Sequence, residues 1–142
     1  MSVRYPQIIQ GGMGIAVSDW KLARTVALMG EMGVVSGTAI NSVLVRRLQD
    51  GDVGGHMRRA LQAFPSQEIA AKILETYFIE GGRATGVAYK RSPLFSLTPP
   101  LALSQLTVAA SFVEVYLAKE GHDGLVGFNL LEKVHLPNLA CL

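Results

Sequence analysis

Apolar positions follow two patterns along this chain, short unbroken runs and stripes at about 3.6-residue spacing, which predict buried strands and amphipathic helices respectively. Ile8-Ile9 form a short run that ends at a glycine cluster, Gly11, Gly12 and Gly14. Behind Ser18 or Asp19, either able to cap a helix, Leu22, Val26 and Met29 recur at helical spacing, and Gly30 suits the far end. "MGVVSGT", Met32 to Thr38, reads as a second strand closed by Ser36-Gly37. Strand, helix and strand within residues 8–38 make the βαβ pattern of a parallel sheet.

The middle of the chain is predicted helical. "NSVLVRRLQDG" has caps available at Asn41 or Ser42 and stops at Asp50-Gly51. "HMRRALQAF" puts Met57, Ala60, Leu61 and Phe64 on one face, and the helix after Pro65-Ser66 carries Ala70, Ile73, Leu74 and Tyr77 as its stripe before Gly81-Gly82. The connector "YKRSPLFSLTPP" leads to a long helix striped by Leu106, Ala109, Ala110, Val113 and Leu117 and closed by Gly121. "GLVGFNLLEK", Gly124 to Lys133, is a third buried strand running out to Asn129. "LPNLACL" reads as the start of a further helix, with Pro137 at an early position.

Three apolar parallel strands need cover and leave unpaired edges. The expected fold class is therefore α/β, with residues 1–142 as a partial domain, the front part of a longer protein that is either an open sheet or, at about three βα units, a (β/α)8 barrel. A whole barrel typically needs ~250 residues.

Composition narrows the function classes. The chain is 49% apolar and 17% charged, with net charge +2 and mean hydropathy +0.31; it is globular, and its charge gives no argument for a nucleic-acid partner. Arg46-Arg47, Arg58-Arg59 and Lys90-Arg91 read as isolated, solvated pairs. Cys141, the single cysteine, excludes an internal disulfide and supplies no metal-ligand spacing. No leader-like start and no segment approaching the ~20 apolar residues of a bilayer span are expected, which makes cytoplasm the default and a membrane partner unexpected.

The glycine cluster is the strongest chemical signal. Aligned on a dinucleotide fingerprint, Gly12 and Gly14 put Val17 where the third glycine belongs, and the second strand ends without an acidic residue. A Walker loop would need Gly-Lys-Ser/Thr, which is absent. Two readings remain: a tight turn of small residues, or a strand end whose bare amides at residues 11 to 14 meet a flat ring system. Ligands of parallel sheets bind at that end, where Gln10, Ser36-Gly37-Thr38 and Asn129 are also expected.

"PQIIQGGMGIAVS", "GVVSGT" and "GFNLLEK" together resemble the nitronate monooxygenase (formerly 2-nitropropane dioxygenase) family. "FVEVYLAKEGHDGLVGFNLLEKVHLPNLACL" is closer to its branch containing the enoyl-reductase component of polyunsaturated fatty acid and polyketide synthases. The resemblance spans essentially the whole chain. It implies an FMN-dependent TIM (β/α)8 barrel, of which residues 1–142 are the N-terminal portion, about three βα units, truncated at its C-terminus. Gly11, Gly12, Met13 and Gly14 would then pass under the flavin ring, with Asn129 reaching the cofactor. It implies an oxidoreductase that oxidises alkyl nitronates, or alternatively an enoyl reductase that takes electrons from NAD(P)H, acting on a small-molecule or acyl-carrier-bound substrate. The FMN phosphate loops and the catalytic histidine of the family are expected beyond Leu142, so no catalytic residue is assigned within the chain. The competing, non-catalytic expectation is a partial barrel without cofactor, whose partners are the remainder of its own barrel or, through exposed strand edges, further copies in an oligomer.

Other candidates are weaker. His56, His122 and His135 have no partner at a spacing that forces contact, so neither a triad nor a metal site is argued. Glu31 and Glu132 are scattered carboxylates, Trp20 reads as packing, and Cys141 as a buried thiol.

Overall fold

The computed structural model describes residues 5–94, 96 and 98–130. Its helices are α1 (Trp20–Leu28), α2 (Ile40–Gln49), α3 (His56–Gln62), α4 (Gln67–Tyr77) and α5 (Leu101–Lys119); its strands are β1 (Gly33–Ser36), between α1 and α2, and β2 (Val126–Asn129), after α5. β1 and β2 are parallel, with Gly33 opposite Val126 and Ser36 opposite Asn129.

The expected first strand is reduced to a single parallel bridge between Ile9 and Met32. The backbone explains why. Met32 N–H donates to Ile8 and Gln10 N–H to Met32, but the next rung is made by a side chain: Val34 N–H donates to Gln10 Oε1 at 3.0 Å. From Gly11 the main chain leaves the sheet and crosses over the end of β1. The fold is thus mixed α/β with a small parallel sheet.

Of the two candidate caps, Asp19 starts α1, accepting from the amides of Lys21 and Leu22. The face it buries differs from the expected stripe. Ala23 and Ala27 are buried, whereas Leu22 and Met29 are exposed. Close approach decides this: a Cβ on Gly33 would lie 2.0 Å from the Ala23 carbonyl oxygen, so helix and strand touch backbone to backbone and larger side chains must turn outward. α2 begins at Ile40, after Ala39 in a left-handed conformation, and neither Asn41 nor Ser42 caps it. Asn41 is buried in the first turn and its amide donates to Ser92 Oγ.

The remaining stripes bury as expected: Met57, Ala60, Leu61 and Phe64; Ala70, Ile73 and Tyr77; Leu106, Ala109, Ala110, Val113 and Leu117. Leu74 is only partly buried. α5 is the central pillar and touches α1 to α4 and β2. Within its 19 residues an 18-residue stretch has mean hydropathy 1.5, so by length and composition it reaches bilayer-spanning size, against expectation. Half of that stretch is buried against the other elements, the usual reason for a helix apolar all round in a packed domain. Full burial of a leucine such as Leu48 or Leu117 is worth about 1.5–3 kcal/mol.

α1 and α5 lie on one face of the strands, where Ala23, Val35 and Ala118 form a small cluster joined by Val126 and Phe128. The alternate positions, Val34 with Gly127 and Ser36 with Asn129, point the other way. That face meets the glycine turn.

Candidate functional site: the strand-end glycine turn

All five residues expected to hold a cofactor converge at the C-terminal ends of β1 and β2. Gly12 is buried; a Cβ there would lie 2.7 Å from the carbonyl oxygens of both Val34 and Val35. The smallness of Gly12 is therefore required by contact with the chain's own strand. Gly11 is exposed and a Cβ on it would meet only Met13 Cγ at 3.7 Å. The Gly14 carbonyl accepts from Val17 and Ser18 amides and closes the turn into α1. Met13 is 76% exposed.

Side chains pin this turn from three sides. Asn129 Nδ2 donates to the Gly12 carbonyl at 2.9 Å and lies 3.4 Å from Met13 Sδ. Ser36 Oγ donates to the Met13 carbonyl at 3.3 Å, and Ser36 N–H donates to Ser18. Gln10 Nε2 donates to the Gly11 carbonyl at 2.8 Å while its Oε1 holds Val34. With the carbonyls of Gly11, Gly12 and Met13 engaged, the amides of Gly11, Gly12 and Gly14 meet no acceptor among the described residues. Gln10 is the residue whose role sequence reasoning missed: nothing in "QIIQGG" signals that a side chain replaces a rung of the sheet.

Behind the turn lies an ion network that the sequence reading also missed. Arg47, read there as half of a solvated pair, bridges two carboxylates: Asp19 at 3.1 Å and Glu114, with which it makes a close ion pair. Glu114 is 3% exposed and its Oε2 accepts the Trp20 amide at 2.8 Å. Burial pushes its carboxyl above the usual range, Asp19 adds to this, and Arg47 and the Trp20 N–H oppose it. Asp19 and Glu114 thus hold successive N–H groups at the start of α1, where the helix dipole favours negative charge. A lone glutamate inside the apolar run "SFVEVYLAK" was the available signal. In the second basic pair, Arg58 is engaged with Asp52 and Arg59 with Glu120.

His122 and His56 sit away from the turn. His122 Nδ1 accepts from Gly124 N–H at 3.0 Å and its Nε2 meets the Ala118 carbonyl at 2.7 Å, closing the loop before β2, at the end of that strand opposite the glycines. His56 begins α3, with its ring centroid 5.0 Å from that of Trp20. Trp20 packs against both core clusters. Glu31 accepts from the amides of Gln7 and Ile8 at 2.8 Å each and anchors the segment that leads into the turn. Glu132, His135 and Cys141 lie outside the described residues. No group of three or more potential metal ligands occurs among the described residues.

Compared with family models, with curated proteins and with solved structures, the chain matches none.

Proposed function

We propose that this chain forms the first three βα units of an FMN-dependent (β/α)8 barrel and provides the ledge on which the flavin ring rests, in an oxidoreductase of the nitronate monooxygenase type. The observation that carries this reading is the state of the glycine turn: its carbonyls are tied back by Gln10, Ser36 and Asn129, and its amides are left without acceptors at the C-terminal ends of parallel strands. Ring-edge oxygens and nitrogens are natural acceptors for such amides. Gly11 and the exposed Met13 offer the open surface; the buried Gly12 holds the turn against β1.

The arrangement of the layers supports the barrel. Helices α1 and α5 cover one face, and the opposite face carries Val34 with Gly127 and then, at the strand ends, Ser36 with Asn129, an apolar-to-polar order suited to the interior and rim of a barrel. A bound flavin would accept two electrons from an alkyl nitronate, with dioxygen taking part in turnover. The part played by this chain is to orient the ring and keep one of its faces dry. The enoyl-reductase alternative, with NAD(P)H as electron donor, rests on the wording of residues 112–142. The non-catalytic alternative rests on Gly12, whose smallness its own strand already explains.

Titrating the 142-residue chain into FMN and following flavin fluorescence separates these readings. Saturable quenching that Gly11→Val abolishes, with the circular dichroism spectrum unchanged, is the expected result. An unaltered flavin spectrum at every protein concentration would favour a turn closed on itself. With flavin bound, anaerobic bleaching by NADPH would favour the reductase; bleaching only by a nitronate would favour the monooxygenase.

A further inference from the structure

A second site lies on α2, away from the glycine turn and independent of the flavin reading. Residues 89–92 run as a strap across this helix. Gln49, 2% exposed, clamps it: Lys90 N–H donates to Gln49 Oε1 at 2.7 Å and Gln49 Nε2 donates to the Lys90 carbonyl at 3.0 Å. Asn41 holds Ser92, and the Tyr89 hydroxyl reaches both oxygens of Asp50 at 2.9 Å. Arg83 also pairs with Asp50 at 3.3 Å, so this carboxylate is neutralised outside the cleft that the strap encloses.

That cleft, about 270 Å³, is walled by Ser42, Val45 and Arg46 on α2 and by the strap residues, with Arg91, Ser92 and Leu94 opposite. Among the described residues, no acidic one lines it. Lys90 Nζ is turned away to the Thr76 carbonyl. Arg46 stacks near the Tyr89 ring, 5.3 Å from its centroid, and neither Arg46 nor Arg91 has a carboxylate partner among the described residues. Two guanidinium groups and two hydroxyls offer more donors than a carboxylate, with two oxygens, can use. A phosphate dianion, with three terminal oxygens, suits them. Val45 and Leu94 give an apolar wall for whatever the phosphate is attached to.

We propose that this cleft binds a phosphate monoester of a small organic molecule, with Arg46 and Arg91 gripping the phosphate. Calorimetric titration of the full chain with phenyl phosphate, in parallel with inorganic phosphate and with phenol, tests it. The expected result is saturable one-to-one binding of phenyl phosphate, weaker binding of inorganic phosphate and none of phenol. R46Q and R91Q should each lower the affinity about tenfold, or about 1.4 kcal/mol, with unchanged circular dichroism, while K72Q, the same charge change on α4, leaves it intact. Equal loss in K72Q, no loss in the arginine variants, absence of saturation, or inorganic phosphate binding as tightly as the ester would each overturn the proposal.

Discussion

The side-chain amide of Asn129, at the end of β2, donates to the Gly12 carbonyl at 2.9 Å and ties the last described strand to the turn that precedes the first helix. The two residues are 117 positions apart in sequence. Asn129→Leu is expected to cost about 1–3 kcal/mol, because it leaves the buried Gly12 carbonyl without its partner. A urea midpoint equal to that of the parent chain would show that the bond carries no stability.

Gly11 and Gly12 are neighbours with opposite demands. Gly12→Ala forces a Cβ against two strand carbonyls and is expected to destabilise by about 1–3 kcal/mol, the usual range for overpacking. Gly11→Ala meets only ordinary contact and should leave the melting temperature near that of the parent. Thermal melts of the two variants side by side decide it; a reversed order would mean the turn sits differently on β1.

Glu114 gives stability a pH dependence of defined sign. Burial raises its carboxyl above the unfolded value of about 4.3, so the native state holds the proton more tightly than the unfolded chain. Its contribution is fully present below that value and is lost as pH rises through the raised native one. Denaturation midpoints of the parent and of Glu114→Gln, followed from mildly acidic to neutral pH, are expected to diverge in favour of the variant as pH rises. A pH-independent difference would remove Glu114 as the source.

Arg47→Ala would strand the Glu114 carboxylate in the core. Breaking a buried pair costs roughly 3–5 kcal/mol, and because Arg47 is 25% exposed the loss should lie toward the lower end of that range. The loss should shrink as Glu114 is protonated at low pH, which the same midpoints measure.

Gln49→Leu keeps the volume of the side chain and removes both hydrogen bonds to the Lys90 backbone. Limited trypsin digestion is expected to cut after Lys90 and Arg91 faster in the variant while the helical circular dichroism persists. Unchanged cleavage kinetics would show that the strap is held by Tyr89 and Asn41 alone.

The helices and the two strands were legible in the sequence because their signals are local: 3.6-residue stripes, the Asp19 cap, glycines at the ends. The convergence of Gly11, Gly12, Met13 and Gly14 with Asn129 was legible too, since the C-terminal ends of parallel strands must share a rim. Three things were decided only by tertiary structure. The first strand shrank to a bridge because Gln10 replaces a backbone rung with a side chain. α1 turned its alanines inward because Gly33 lets two backbones touch. Arg47, outwardly half of a basic pair, became the bridge between Asp19 and Glu114. Each depends on a distance between residues far apart in the chain, and periodicity along a sequence contains no such distances.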